Sequence, residues 1–273
     1  MTQIRRVFGV IELYQMSISV VVLTHNDEAS FPKCIASLMW CDEVVVIDDE
    51  STDGTAGLAK KLGAKVFVRK LNDDFAIQRN FGLAKAKGEW VLFVDSDEIV
   101  SKELATEIKE IASPLRLRSG RAERTRNDKV KGYYIKRKDW LFGRWLRHGE
   151  TGKVKLLRLG KKNAGKWVQP VHEEWNINGN VDELANPLLH YPHQNVAQFL
   201  DQINRYSTLY ANYLHRRSVR EPVWQIVGKP ATKFLLNYVI RLGFLDGTAG
   251  IITALMMSFH SFLVRAKLWQ NTL

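Results

Sequence analysis

The chain has 273 residues, of which 45% are hydrophobic and 25% are charged. This composition excludes a disordered chain and a protein with many membrane spans, and the length suffices for one α/β domain with a smaller appendage. The formal net charge of +11 favours an anionic partner, which is nucleic acid, an anionic membrane surface or a phosphorylated substrate; a basic surface without a dedicated partner is the alternative. Cys34 and Cys41 lack CxxC spacing and a surrounding His/Cys cluster, which indicates reduced structural thiols.

Residues 1–16 are predicted to form a short N-terminal extension. Arg5 and Arg6 precede an apolar patch, as in a signal peptide, but Glu12 and Gln15 interrupt it and no small-residue cleavage site follows. We therefore expect the protein to reside in the cytoplasm.

Four short apolar runs, rich in Val and Ile, are predicted to be buried parallel strands. They are Ile18–Leu23, Glu43–Ile47, Lys65–Val68 and Trp90–Val94. Helical patterns lie between these runs, each with an apolar stripe that ends near a glycine or a polar break. The stripes are Phe31, Ile35, Leu38 and Met39; Leu58 and Leu62 before Gly63; and Ile77, Phe81 and Ala84 before Gly88. This alternation favours a doubly wound α/β sheet, in which a ligand binds beyond the carboxyl ends of the strands.

The pattern changes twice in the second half of the chain. The stretch Ser113–Lys131 is dense in Arg and Lys, which is typical of a solvated linker or a mobile loop. Strand-like segments follow at Gly132–Lys136 and Lys153–Leu159, and from about Val196 the pattern is wholly helical. Two further apolar, basic helices are predicted around Thr232–Leu245 and Ala249–Lys267.

Polar and acidic clusters follow three of the predicted strands. They are Thr24–Glu28, Asp48–Asp53 and Asp95–Glu98. Asp95 and Asp97 are two residues apart, so in an extended segment both carboxylates point to the same side and repel each other unless a cation lies between them. Mg²⁺ or Mn²⁺ suits this pair, because both ions prefer oxygen ligands and diphosphate oxygens can complete the coordination shell. Two solvated carboxylates in a loop are the alternative.

Two further positions are candidates for binding and catalysis. Asp48 could accept hydrogen bonds from a base N–H or a ribose hydroxyl, and its alternative role is to cap the next helix. Glu173 lies with His172 and Glu174 between Pro170 and Trp175, and a carboxylate in an aromatic-lined cleft can act as a general base. A buried, hydrogen-bonded histidine is the alternative interpretation of that segment.

Taken together, these segments resemble the family-2 glycosyltransferases of the GT-A fold, most closely the bacterial subgroup that builds lipopolysaccharide core and related envelope glycans. The resemblance covers roughly residues 17–190. It is carried by Ser19–Glu28, Val46–Thr55, Gln78–Gly82 with Lys87–Glu89, Val94–Glu98, and Val171–Glu173. It implies a Rossmann-like, mixed but mostly parallel sheet flanked by helices, with a C-terminal helical extension. We accordingly divide the chain into the extension 1–16, a catalytic domain 17–195 and a helical region 196–273.

The resemblance also implies roles for individual residues. Asp97 would bind the metal directly, and Asp95 would contact the ribose or the metal-bound phosphates. Glu173 would be the catalytic base, assisted by His172 as an orienting group or a metal ligand; the neighbouring Glu174 is the other candidate for the base. The implied donor-binding residues are Thr24, Asn26, Glu28, Asp48, Arg79 and Asp95. One departure is Glu50, which stands where many members of the family have glycine.

The expected reaction is a single displacement with inversion, from a nucleoside-diphosphate sugar, expected to be a UDP-sugar, to a hydroxyl of a glycan or lipid-linked acceptor. The expected cofactor is Mg²⁺ or Mn²⁺. Residues Ala249–Val264 have few polar interruptions, but the segment is too short for a typical span of about 20 apolar residues, and Arg265 and Lys267 close it. This segment favours a helix in an anionic membrane interface, at the inner face of the plasma membrane. A docked helix or a homo-oligomer contact is the alternative.

Two other classes of protein share features with this sequence. A sugar nucleotidyltransferase shares the sheet and the metal, but it should carry a Gly-rich basic loop after the first strand, where this chain has the acidic segment Thr24–Glu28. A basic nucleic-acid-binding protein would explain the charge, but no recognised module is visible and acidic strand ends repel phosphates. We therefore expect no nucleic-acid partner.

Overall fold

The computed structural model describes residues 17–113, 130–193 and 195–273. The predicted extension 1–16 and most of the predicted linker Ser113–Lys131 lie outside the described residues.

A mixed sheet of ten strands organises the part of the chain that the structure describes. Its spatial order is β3-β2-β1-β4-β8-β6-β12-β5, with β7 and β11 also paired to β6, while β9 and β10 form a separate pair. The strands are β1 (Ile18–Thr24), β2 (Glu43–Asp48), β3 (Lys65–Val68), β4 (Trp90–Asp95), β5 (Glu98–Val100), β6 (Val130–Leu141), β7 (Arg144–Trp145), β8 (Lys155–Lys161), β9 (Gly165–Val168), β10 (Glu174–Ile177), β11 (Asn180–Glu183) and β12 (Leu188–His190). Strands β1 to β4 pair in parallel, and β8 runs antiparallel to both β4 and β6.

Seven α-helices flank or follow this sheet in the described residues. They are α1 (Phe31–Ala36), α2 (Thr55–Lys61), α3 (Phe75–Lys85), α4 (Lys102–Ile111), α5 (Val196–Arg216), α6 (Gln225–Leu235) and α7 (Gly247–Gln270). A π-helical turn, Leu236–Ile240, and a short 3₁₀ helix, Gly243–Asp246, join α6 to α7.

All four predicted parallel strands are confirmed. The apolar runs of β1, β2 and β4 are covered on both faces of the sheet, whereas β3 at the sheet edge leaves Val68 61% exposed. Val20 and Val22 belong to a cluster with side chains of α1 and α4, whereas Val21 points the other way and packs with α3. This alternation is the geometry expected for successive side chains of one strand. The parallel arrangement brings the carboxyl ends of β1, β2 and β4 to one edge of the sheet.

The helical stripes are confirmed less completely. Helix α1 ends at Ala36, and the side chain of Met39 beyond it is 68% exposed. The stripe predicted for α3 is wrong, because Ile77 is 51% exposed while Gln78 and Arg79 are buried. The helix predicted around Thr232–Leu245 begins earlier, at Gln225, and its α-helical part ends at Leu235.

Helix α3 approaches β1 closely at Gly82. A Cβ atom added there would collide with the Cγ1 atom of Val21 and press on Ile47. We expect Gly82→Ala to destabilise the protein by about 1–3 kcal/mol, because overpacking a filled core outweighs the better helix propensity of alanine. Urea unfolding measures the change.

Gly57 provides the matched control, because it also lies in a helix but a Cβ atom there meets nothing within 4 Å. Gly57→Ala should stabilise the protein by up to about 1 kcal/mol. Equal effects of the two substitutions would contradict the close approach of α3 to β1.

One helical segment of the described residues passes the test of length and composition for a membrane span. It covers Gly243–Gln270, with a mean hydropathy of 1.5, and 39% of its most apolar window is buried inside the protein. The core helix of a soluble protein can pass the same test, so this finding alone assigns no span.

Candidate active site

A cleft of about 1010 Å³ opens at the carboxyl ends of β1, β2 and β4. Helix α5 and the segment that precedes β10 contribute to its lining. Of the residues predicted from the sequence, the cleft is lined by Thr24, Asn26, Arg79, Asp95, Asp97, His172 and Glu173. The structure thus brings together segments from both halves of the chain.

Asp95, at the end of β4, is held by two arginines. Arg79 Nη2 donates to its Oδ1 at 2.9 Å, and Arg158 Nη2 donates to its Oδ2 at 2.6 Å. Burial opposes the charge of this carboxylate, but Arg158 and Arg79 together hold its pKa well below the usual range. Both oxygens of Asp95 are therefore already engaged.

Arg79 links Asp95 to the predicted catalytic base. Its Nε donates to Glu173 Oε1 at 2.7 Å, and its guanidinium lies 4.8 Å from the ring centroid of Trp167. Burial disfavours the cation, but Asp95 and Glu173 raise the pKa of Arg79 above its ordinary value. Glu174, in contrast, is exposed in β10, so of the two adjacent glutamates only Glu173 faces the cleft.

Asp97 belongs to a second chain of charged groups. His190 Nε2 lies 3.2 Å from Asp97 Oδ2, and the other ring nitrogen lies 2.8 Å from Asp139 Oδ1. Arg137 Nε in turn lies 2.8 Å from Asp139. Burial opposes the imidazolium, but Asp97 and Asp139 raise the pKa of His190 to about 10. His190 is therefore a cation that fixes the position of Asp97.

Glu98 supports the same strand end from within the core. Its Oε2 accepts the backbone N–H of Asp95 at 2.8 Å, and its side chain is fully buried. Burial and the nearby charge of Asp95 raise the pKa of Glu98. This contact fixes the backbone turn between β4 and β5, from which Asp95 and Asp97 project.

The loop after β1 is tied to the neighbouring strand ends. Asp27 Oδ2 accepts from Thr24 Oγ1 at 2.9 Å and from Ser96 Oγ at 2.5 Å, which joins the ends of β1 and β4. Asn26 Oδ1 accepts the backbone N–H of Thr52 at 2.8 Å. These bonds place Thr24 and Asn26 in the cleft wall.

Two of the predicted donor-binding residues do not reach the cleft lining. Glu28 is exposed outside it, and its Oε2 accepts the backbone N–H of Gly54 at 3.0 Å. Asp48 is buried, and its Oδ2 accepts the backbone N–H of Ser51 at 3.1 Å. The adjacent Asp49 lines the cleft instead, because successive side chains at a strand end point to opposite sides.

Glu50, which stands where many members of the family have glycine, has a left-handed backbone conformation. Its φ is 50°, in the left-handed region that glycine adopts without cost and other residues adopt only with strain. The turn after β2 therefore keeps the conformation that suits glycine although a glutamate occupies it.

Helix α5 covers the cleft with residues that the sequence analysis did not single out as site residues. The ring of Tyr206 stacks on Phe75 with centroids 5.7 Å apart, and Arg205 Nη2 lies 3.7 Å from Asp49 Oδ2. The ring of His172 meets Tyr210 edge-on at 4.9 Å. Burial lowers the pKa of His172, so this ring is more easily neutral than a free histidine.

Arg158, His190 and Asp139 were also missed. Arg158 and Asp139 are buried charges within strands β8 and β6, and His190 ends β12. A charged residue inside an apolar strand, as in Leu156–Leu159, is the signal that could have revealed Arg158, since buried charges are rare without a partner. No comparable signal marks His190.

The arrangement suits the binding of a ligand with a diphosphate group and the deprotonation of a hydroxyl. Among the described residues there is no ready-made cluster of three or more His, Cys, Asp or Glu side chains for a metal. Asp97 is nevertheless 28% exposed to the cleft, and its carboxylate is a suitable ligand for Mg²⁺ or Mn²⁺ that diphosphate oxygens complete.

Comparisons with known proteins agree with this geometry. The lipopolysaccharide core biosynthesis glycosyltransferase LpsC of Rhizobium meliloti is 27% identical over 264 residues, which cover 94% of this chain and 93% of LpsC. An uncharacterized glycosyltransferase of Rickettsia typhi is 28% identical over 94% of this chain and 88% of its own length.

Among solved structures, the mannosyltransferase PcManGT from Pyrobaculum calidifontis, in complex with GDP-Man and Mn²⁺, matches with a TM-score of 0.51. The two chains are 14% identical, and the match covers 95% of this chain and 89% of PcManGT. This likeness supports the fold, and the predicted GT-A architecture is confirmed.

The model of the family described as glycosyl transferase family 2 matches residues 19–157. This range includes Arg79 and the strand ends at Thr24, Asp48 and Asp95. It ends at Leu157, one residue before Arg158. The match decides among the three classes of protein weighed from the sequence: the chain belongs to glycosyl transferase family 2 and is a glycosyltransferase.

Proposed function

We propose that the protein transfers a sugar from a nucleoside-diphosphate sugar to a hydroxyl of a glycan or lipid-linked acceptor, with inversion, in the synthesis of a lipopolysaccharide-type envelope glycan. The similarity to LpsC over nearly the whole chain supports the class of product. The single observation that carries the mechanism is the bridge made by Arg79, which holds Asp95 and Glu173 in one cleft.

The donor would occupy the edge of the sheet beyond β1, β2 and β4. Thr24 and Asn26 line this part of the cleft, and Asp49 takes over the contact to base or ribose that the sequence had assigned to Asp48. Arg205 and Tyr206 of α5 would close over the nucleotide from the other side. A UDP-sugar is our proposed donor.

A divalent metal, Mg²⁺ or Mn²⁺, fits the residues at the end of β4. Asp97 would bind the ion, because both carboxylate oxygens of Asp95 already accept hydrogen bonds from Arg79 and Arg158. The bound ion would offset negative charge on the departing nucleoside diphosphate. His190 would keep the Asp97 carboxylate oriented toward the cleft.

Glu173 would take the proton of the acceptor hydroxyl while that oxygen attacks the anomeric carbon. The bond from the anomeric carbon to the diphosphate breaks as the new glycosidic bond forms on the opposite face, which inverts the configuration. Arg79 holds Glu173 in the cleft wall through the bond from its Nε to Glu173 Oε1.

Thermal unfolding in the presence of ligands tests this proposal. UDP, GDP, CTP and DNA are each added with and without Mn²⁺, and we expect a nucleoside diphosphate to stabilise the protein only when the metal is present. Stabilisation by CTP or DNA alone would contradict the proposal.

The Asp97→Asn variant should lose the metal-dependent part of this stabilisation, because an amide is a much weaker ligand for a hard cation than a carboxylate. Asp73→Asn is the matched control, since Asp73 is exposed outside the cleft and asparagine tolerates its φ of 59°. A variant at Asp97 that responds to Mn²⁺ like the unaltered protein would remove Asp97 from the metal site.

We further propose that the protein acts in the cytoplasm, at the inner face of the plasma membrane. The two cysteines, Cys34 and Cys41, are both free, which agrees with a reducing compartment.

A further inference from the structure

Helices α6 and α7 form an antiparallel hairpin at the end of the chain. Glu221 Oε2 lies 3.2 Å from Arg265 Nε at its open end, and Ser258 Oγ donates to the carbonyl of Pro230 at 2.8 Å in its middle. The π-helical turn and the 3₁₀ helix close the other end, where Gly243 and Gly250 meet backbone to backbone. Contacts at three levels therefore fix the register of the two helices.

Each helix of this hairpin carries a stripe of exposed apolar side chains. The members of each stripe are three, four, seven or eight residues apart, which keeps them on one face of a helix. On α6 and its flanks they are Trp224, Val227, Leu235 and Val239, and on α7 they are Ile251, Leu255, Phe259, Phe262 and Trp269. Val227 is 70% and Leu255 is 53% exposed, so neither stripe is covered by the described parts of the chain.

The two stripes face the same side of the hairpin. Successive residues of a helix turn by about 100°, which places Leu255 on one flank of Ser258 and Val227 on one flank of Pro230. Because the helices run in opposite directions, these two flanks lie on the same side of the plane through both axes. The stripes together form one surface, which we name the hairpin face.

The opposite side of α7 belongs to the protein. Met257 and His260 line the catalytic cleft, and Thr253 and Ser261 are buried against the rest of the chain. Because this side of α7 packs on the protein, only its other side is free to contact a lipid surface. Half of its circumference is available to lie in an interface.

The charges around the hairpin face select its occupant. Residues 220–273 contain six Lys and Arg side chains and two acidic residues. Glu221 is paired with Lys229 and Arg265, and Asp246 is buried and accepts the backbone N–H groups of Arg147 and His148. Exposed arginines stand at both ends of the hairpin, Arg220 at the open end and Arg241 at the turn. A second copy of the chain on this face would place its arginines near those of the first, and like charges repel. An anionic lipid surface would instead attract them.

We propose that the hairpin face docks on an anionic lipid bilayer, with its apolar stripes in the headgroup region and Arg220 and Arg241 on lipid phosphates. The two exposed tryptophans suit this depth, because aromatic side chains with one polar group favour the membrane interface. The docking itself does not depend on the proposed function. Only its use does, which is to bring the cleft lined by Met257 and His260 to a lipid-linked acceptor.

Sedimentation of the full chain with vesicles tests the docking without any substrate. We expect binding to vesicles of phosphatidylcholine mixed with phosphatidylglycerol, and much weaker binding to phosphatidylcholine alone. The double variant Val227→Gln with Leu255→Gln should bind the mixed vesicles about tenfold more weakly, because two side chains lose their apolar burial. Its control is Val68→Gln with Ile77→Gln, which alters side chains that are 61% and 51% exposed on the catalytic domain.

Arg220→Gln with Arg241→Gln should weaken binding by about 20-fold at low salt, whereas Lys60→Gln with Lys61→Gln on the exposed side of α2 should leave it unchanged. Equal binding by the hairpin and control variants would overturn the proposal. So would light scattering that shows a dimer dissociated by Val227→Gln with Leu255→Gln, since the face would then bind a second copy. Stabilisation by nucleoside diphosphate and metal is scored separately, so a failure of docking is distinct from a failure of the proposed reaction.

Discussion

Replacing Glu173 by Gln is expected to lower the rate of sugar transfer by about 10²–10⁴-fold, the usual contribution of a general base. The amide has nearly the same shape and its oxygen can still accept the bond from Arg79 Nε, which spans 2.7 Å in the unaltered protein. It cannot take a proton from the acceptor hydroxyl. We therefore expect kcat to fall while the affinity for the donor, measured by calorimetry, stays the same.

Glu174→Gln is the matched control for this experiment. The two glutamates are neighbours in the chain, but Glu174 is exposed in β10 and does not line the cleft. Its variant should transfer sugar as fast as the unaltered protein. If Glu174→Gln rather than Glu173→Gln stopped transfer, the assignment of the base would be reversed.

Strands β1, β2 and β4 of the central sheet were predictable because they are buried on both faces. Continuous apolar runs such as Trp90–Val94 have no other stable place in a protein of this size, and the acidic residues that follow them then meet at one edge. Asp95, Asp97 and Thr24 are therefore recognisable from the first half of the chain alone. Glu173 depended on the resemblance, since spacing alone does not bring it to the same cleft.

Helix α3 shows why other parts of the site were not predictable. The apolar periodicity pointed to Ile77 as a buried residue, but the helix turns Gln78 and Arg79 inward because they bind groups in and beside the cleft. A site that needs buried polar side chains breaks the apolar pattern from which burial is predicted. Local pattern and burial disagree here because the buried face carries polar side chains that bind other groups of the protein.

The basic partners of Asp95 and Asp97 come from strands that are distant in the sequence. Arg158 reaches Asp95 from β8, and His190 reaches Asp97 from β12. Strand β8 pairs antiparallel with β4, and β12 pairs antiparallel with β5. These pairings depend on a long-range register that a single sequence does not specify. A shift of one residue at the end of β2 likewise decides whether Asp48 or Asp49 lines the cleft.

Arg79→Met is expected to lower the free energy of unfolding by about 3–5 kcal/mol, the cost of removing one partner from a buried ion pair. The side chain of Arg79 is 3% exposed and neutralises two carboxylates, Asp95 and Glu173. Methionine fills much of the volume but leaves Glu173 without a partner and Asp95 with Arg158 alone. Lys85→Met, on the exposed side of the same helix, should cost less than about 1 kcal/mol.

The pH dependence of this loss identifies its cause. In the unaltered protein Arg79 and Arg158 lower the pKa of Asp95, so the stability they provide is present above the unfolded pKa of about 4 and is lost as the pH falls through the lower folded value. The deficit of Arg79→Met should therefore be largest at neutral pH and shrink below about pH 4, where the carboxylate of Asp95 takes up a proton. Adding Glu173→Gln to Arg79→Met should restore part of the stability at neutral pH, because it removes one of the unpaired charges. Urea unfolding at both pH values measures this, and a deficit independent of pH and unchanged by the second substitution would show that Arg79 stabilises the fold by packing on Trp167 rather than by its charge.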